Sequence, residues 1–151
     1  REGDALEIYT QADGEVIFKK YSPIGELGPC TQQYAEVLSR TTGMTAVICD
    51  RDHIIAAAGI PKKEAMNKRV SPLLESYMER RSFYSYSVDK ESLYASEDID
   101  RQVSVMCPII GAGDVLGAVT LLCDERPSVP GQTDIKLTQV AAGFLGKQME
   151  E

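Results

Sequence analysis

Metal and nucleophile chemistry find little to work with in this sequence. It holds one histidine, His53, and four cysteines, Cys30, Cys49, Cys107 and Cys123, that stand far apart with no C-x-x-C pair. A structural zinc site draws on close pairs of Cys or His ligands, so no metal is expected, and nothing implies a cofactor. No serine lies in a G-x-S-x-G turn that would strain it into a nucleophile. The stretches GELG at 25–28 and GAG at 111–113 lack the lysine and the geometry of a phosphate loop. No apolar run approaches the ~20 residues of a membrane-spanning helix. Arg1-Glu2-Gly3-Asp4 has neither the basic start nor the apolar core of a secretory signal, so a cytosolic protein with no membrane contact is expected.

Positive charge is also scarce. Sixteen basic residues face 23 acidic ones, a net charge of −7. Wide contact with a nucleic acid backbone is driven by clustered Lys and Arg that release counterions, and that surplus is missing here. What is present is the balance of a globular protein, 43% hydrophobic and 26% charged, in a chain of 151 residues that suits one domain or a domain with a small appendage.

The pattern along the chain gives the order of elements. Leu6 and Ile8, then Val16 and Phe18, alternate around the turn signal Asp13-Gly14 and predict a β-hairpin. Tyr21-Ser22-Pro23 ends it, which places a joint at residues 21–25. Leu27, Cys30, Tyr34, Val37, Leu38 and Thr41 follow spacings of three and four up to the stop at Gly43, an amphipathic helix. The runs MTAVIC (44–49) and HIIAAA (53–58) form an antiparallel hairpin around Asp50-Arg51-Asp52. Residues 62–69 predict a short polar helix. Ser71-Pro72 then caps a second helix that buries Leu73, Leu74 and Tyr77. FYSYSV (83–88) predicts a strand, 89–100 a polar acidic connection, and Val103–Ile110 with Val115–Cys123 a second strong hairpin. Gly117 inside that hairpin marks a bulge or a close backbone approach. A helix from about Asp134 to Met149, with Leu137, Val140, Ala141, Phe144 and Leu145 as its apolar stripe, closes the chain. An antiparallel sheet with helices on both faces, an α+β fold, is the result.

That order resembles a GAF domain over residues 22–151. ICDRD at 48–52, GDVLGAV at 113–119 and AAGFLGKQME at 141–150 carry the likeness. REGDALEI and DGEVIFKKYSPI make residues 1–21 similar to the C-terminal hairpin of a swapped-hairpin AbrB-type DNA-binding domain. Together they resemble the sporulation transcription regulators that join the two. The resemblance implies a homodimer or tetramer, held through the GAF helices and the swapped hairpin, and an effector sensor rather than an enzyme. In that family another strand pair and an arginine-rich segment precede the hairpin. They are absent from this sequence, so DNA binding is expected only via that missing N-terminal half.

Several residues could carry function. GAF domains hold small molecules between the sheet and the segments that here span 60–100, where Tyr77, Tyr84, Tyr86 and Tyr94 could stack on an unknown effector. The same tyrosines could instead form an outer layer of the core. Leu27, Cys30, Tyr34 and Leu38 of the first helix, with Val140, Gly143, Phe144 and Gly146 of the last, could build an intermolecular four-helix bundle or pack within one chain. Lys62-Lys63, Lys68-Arg69 and Arg80-Arg81 could receive an anion or form a solvated helix face. Some GAF domains reduce free methionine sulfoxide with cysteines. Buried strand thiols, however, lack the depressed pKa and exposure that this reaction needs.

Overall fold

The computed structural model describes residues 6–10, 16–20 and 23–150. β1 (Leu6–Thr10) pairs antiparallel with β2 (Val16–Lys20), Ile8 opposite Phe18. The Asp13-Gly14 turn expected between them lies outside the described residues, as do Tyr21 and Ser22 of the expected joint.

A 3-10 turn over Ile24–Leu27 leads into α1 (Gly28–Thr42). Pro29 occupies its first turn, where no amide donor is needed. Gly43 ends it in the left-handed region at φ 74°, donating its N–H to the Ser39 carbonyl. Then follow β3 (Thr45–Asp50), β4 (Ile54–Ala58), α2 (Lys62–Ala65), α3 (Pro72–Glu79) and β5 (Tyr84–Ser85). β6 (Val103–Gly111), β7 (Asp114–Leu122) and α4 (Gln132–Gln148) complete the chain. Five of the strands form one antiparallel sheet in the order β4-β3-β7-β6-β5.

The central strands β3 and β7 are buried on both faces, which is why they read as nearly unbroken apolar runs. Successive side chains alternate between faces. Ala46, Ile48, Val119 and Leu121 point to one side, where Ala35 and Leu38 of α1 and Ala141, Ala142 and Leu145 of α4 cover them. Val47, Cys49, Ala118 and Leu122 point to the other, beneath Leu74, Tyr77 and Met78 of α3 and Leu93, Ala95 and Ile99 of the connection before β6. A register shift between Val103 and Val105 sends those two residues to opposite faces despite their even spacing.

Side chains fasten the covering elements. Ser71 accepts the Leu74 N–H at 3.1 Å, as its capping position predicts, and donates its hydroxyl to the Tyr94 carbonyl at 2.5 Å. Gln32 of α1 reaches the edge strand β4. Its Nε2 donates to the Ala57 carbonyl at 2.9 Å and its Oε1 accepts the Ala57 N–H at 3.1 Å, so the amide occupies ladder positions that an edge strand leaves open.

Three sequence expectations are corrected. The helix expected over 62–69 ends at Ala65, because Asn67 turns left-handed at φ 66° and Arg69 bridges to His53. The strand expected over 83–88 shrinks to Tyr84–Ser85. The apolar stripe of α4 divides: Ala141 and Leu145 face the sheet, while Val140 and Phe144 stay largely exposed.

Glycine permits two close backbone approaches. A Cβ on Gly117 would strike the Cys49 carbonyl of β3, and one on Gly146 would strike the Ile110 carbonyl of β6. Gly143, one turn earlier on α4, faces open space. Gly117→Ala and Gly146→Ala should therefore each destabilise the fold by about 2–3 kcal/mol through overpacking. Gly143→Ala should stabilise it by up to about 1 kcal/mol as a simple gain in helix propensity. Urea unfolding of the three variants reads both signs.

Candidate functional site

On the helix-covered face, each helix carries two stripes. Thr31, Ala35 and Leu38 of α1 and Thr138, Ala141, Ala142 and Leu145 of α4 are buried towards the sheet. One residue round, Cys30, Tyr34, Val37 and Thr41 repeat at spacings of four, three and four, and Leu137, Val140 and Phe144 at three and four. These second stripes line an apolar groove of about 410 Å³ between the helices. Val37, Val140 and Phe144 are 49%, 60% and 40% exposed there. The rings of Tyr34 and Phe144 meet across it at 5.2 Å between centroids. Burial, with a smaller contribution from Cys30, pushes the Tyr34 hydroxyl above its ordinary pKa.

Of the residues expected at an oligomer interface, Cys30, Tyr34, Leu38, Val140 and Phe144 thus meet in one groove. Leu27 packs against the core instead, Gly143 is exposed beside the groove, and Gly146 is spent on contact with β6. Val37 and Leu137 were legible only as helix periodicity. Their place on the outer stripe follows from which stripe the sheet takes.

On the opposite face, Tyr77 and Tyr84 stack edge to face at 5.4 Å. The Tyr77 hydroxyl donates to Glu91 Oε1 at 3.0 Å and the Tyr84 hydroxyl to the Glu91 carbonyl at 2.7 Å. Arg80 lies over the Tyr77 ring at 4.8 Å, and Lys90 is 5.5 Å from the Tyr84 ring. Both hydroxyls are therefore engaged by the connection before β6. Tyr86 packs half-buried against the same cluster, and Tyr94 bridges to Gln102.

Beside this layer, α2 and residues 98–101 enclose a cleft of about 550 Å³. Its lining is Ile60 and Ile99 with Lys63, Glu64, Lys68, Asp98, Asp100 and Arg101. Arg101 is fixed there: its Nη1 donates to Thr45 Oγ1 at 2.7 Å, and Thr45 Oγ1 donates to the Gly59 carbonyl at 3.0 Å. Sequence reasoning found Lys63 and Lys68 as basic pairs but missed Arg101, a single arginine behind the acidic run Glu97-Asp98-Ile99-Asp100. Next to it, Gln102 Oε1 is buried without a hydrogen-bond partner among the described residues.

The cysteines are placed as small hydrophobes. Cys49 is buried against the Met78 sulfur at 4.0 Å, and burial foremost, then Asp50, pushes its thiol far up. Burial also raises Cys107. Cys123 is buried, and Cys30 lies in the helix groove. His53 is exposed, its backbone N–H held by Asp50 Oδ1 at 2.7 Å. Among the described residues no His, Cys, Asp and Glu side chains cluster to hold a metal ion, and no helix is long and apolar enough to cross a membrane.

Comparison with known proteins fits this layout. Residues 26–150 match the family described as the stage V sporulation protein T C-terminal domain, a transcription factor family. Stage V sporulation protein T of Bacillus subtilis (strain 168) is 42% identical over 153 residues, an alignment that takes in all of this chain and 84% of the relative. Among solved structures, a type II free methionine-R-sulfoxide reductase from Thermoplasma acidophilum superposes with a TM-score of 0.63 at 12% identity, over 83% of this chain and 94% of that one. A GAF domain/HD domain protein from Geobacter sulfurreducens gives a TM-score of 0.53 at 15% identity, over 84% and 95%. At these identities the likeness is one of fold, and the fold is that of GAF domains.

The tyrosine layer makes stability depend on alkaline pH. Burial foremost pushes the Tyr84 hydroxyl up to about 12 from 10.0, and Tyr77 is raised for the same leading reason. Between those values the unfolded chain has lost a proton that the folded chain keeps. The contribution is therefore full below pH 10 and is lost as pH rises towards 12. Unfolding midpoints should fall across that window, and Tyr84→Phe should flatten the fall. Urea titrations at several alkaline pH values, with tyrosinate absorbance followed in parallel, check it.

Proposed function

The chain belongs to the stage V sporulation protein T C-terminal transcription factor family, and from that premise we propose that residues 22–151 act as the sensory and dimerising GAF module of a sporulation regulator. Residues 1–21 would then be the C-terminal hairpin of an AbrB-type DNA-binding domain, so that DNA contact belongs to the AbrB-type part and not to the GAF face. The observation that carries the reading is the exposed apolar groove between α1 and α4. Contiguous apolar surface rimmed by polar residues marks an interaction site. Two copies brought groove to groove would close a four-helix bundle. A change in the opposite face of the sheet would then bias the geometry of that bundle and, through it, the spacing of the attached DNA-binding heads.

The function is one of binding and not catalysis. A thiol reductase needs an accessible, low-pKa cysteine, whereas Cys49 and Cys107 are shifted the opposite way by burial. A second reading, a structural oligomerisation module without an effector, draws on the tyrosine layer. There Tyr77 and Tyr84 already donate their hydroxyls to Glu91, which leaves neither proton free for an effector.

Val140→Glu and Phe144→Asp place unpaired charge in the groove without touching the core stripe. Light scattering should show the 151-residue chain as a dimer or tetramer and each variant one association step lower, with unchanged circular dichroism. Unchanged mass in both variants would remove the groove from the interface.

A further inference from the structure

The cleft between α2 and residues 98–101 has a charge arrangement that its own side chains do not satisfy. Three cations, Lys63, Lys68 and Arg101, and three carboxylates, Glu64, Asp98 and Asp100, line one space. Among the described residues, none of the six lies within 4.0 Å of an opposite charge. Ion pairs on a solvated surface hold together only weakly, so these six side chains stay available to the charges of a ligand.

We propose that this cleft binds a small zwitterion of the α-amino-acid type, its carboxylate on Arg101 and its ammonium among the carboxylates. Four features favour that class. Arg101 is a partly buried residue whose guanidinium is pre-positioned by the buried Thr45 hydroxyl, which uses one Nη and leaves the rest of the planar fork for a carboxylate. A simple anion would meet three carboxylates and a simple cation three bases, while a molecule with both charges a few bonds apart offers an opposite charge to each set. Ile60 and the buried Ile99 supply an apolar wall for a side chain. The volume of about 550 Å³ lies within the range of small-molecule sites. A neighbouring cleft of about 720 Å³ shares Asp100 and Arg101, but it is lined otherwise by Asp124, Glu125, Arg126 and Ser128 and has no apolar wall.

The site deepens the sensory reading above and rests on it for its consequence. Arg101 contacts Thr45 at the start of β3, Thr45 contacts Gly59 just after β4, and Gly59 abuts Ser39 of α1, whose Oγ lies 2.7 Å from where a Cβ would stand. Through these contacts the cleft touches the helix that carries half of the apolar groove. A ligand that repositions Arg101 acts on groups packed against α1.

Thermal unfolding of the 151-residue chain with each of the common L-α-amino acids tests the site. The matching deaminated acids and decarboxylated amines, each carrying one of the two charges, serve as controls. At least one amino acid should raise the melting temperature in a saturable way, and its single-charge analogues should not. Arg101→Gln should weaken its binding about a hundredfold, the loss of a charge-assisted bidentate contact. Lys68→Met and Asp98→Asn, both outside the core, should each weaken it too, and they test the site even if Arg101→Gln unfolds. No response to any amino acid, equal response to the single-charge analogues, or affinity unchanged in all three variants overturns the proposal. Sedimentation with and without the active amino acid separates the two readings. Binding that leaves association unchanged keeps the site and overturns the sensory role. A shift in association driven by a compound indifferent to Arg101 does the reverse.

Discussion

Everything in this fold follows from a central strand pair that must be covered on both sides. β3 and β7 lie in mid-sheet with Ile48 opposite Val119 and Ala46 opposite Leu121, and both faces of the pair are apolar. Neither face can be left in water, since burying such side chains is the main driving force for folding. The close contact of Gly117 with Cys49 lets these two strands lie tightly together. The contact of Gly146 with Ile110 brings α4 down onto the sheet.

The two covers are made differently, and the difference assigns their roles. One cover is a pair of regular helices, each needing only one stripe for the sheet. Their second stripes remain apolar and face outward, which leaves an apolar groove open on that side of the molecule. The other cover is assembled from two short helices and a long connection held by Ser71, Glu91 and the backbone of Tyr94. Short elements joined by polar contacts leave clefts at their seams, and the charged cleft at Arg101 is one of them. The proposed association draws on the helix side and the proposed recognition of a small zwitterion on the seam side. The line Arg101–Thr45–Gly59 lies where the sheet joins them.

Most of the scaffold was legible because its signals are local. The cap at Ser71-Pro72, the stop at Gly43 and the two long hairpins each follow from residues a few positions apart. Gly117 marks a bulge or a close approach from its strand alone; that the approach is to the Cys49 carbonyl, from a strand far away in the chain, only the fold shows. The misreadings have tertiary causes. Residues 66–69 have helical composition, but Lys68 and Arg69 serve the edge of β4, where the Lys68 carbonyl accepts the Ile54 N–H. Residues 89–100 look like a solvated connection because Leu93, Ala95 and Ile99 are spaced without period; they are buried by the loop's own path. The candidate sites were harder still. Periodicity places Tyr34 and Val140 on apolar stripes but cannot say which of two stripes the sheet will take. Arg101 has no motif at all, and only the Thr45 hydroxyl reached across the fold distinguishes it from a surface arginine.

The central claim, that the outer stripes of α1 and α4 are an interface while the opposite face stays free, can be read in one measurement. Amide hydrogen exchange of the chain over a dilution series should show protection that rises with concentration in residues 30–41 and 137–144. Exchange in residues 86–101 should be independent of concentration. Protection that follows concentration in residues 86–101 and not in the two helices would contradict this account.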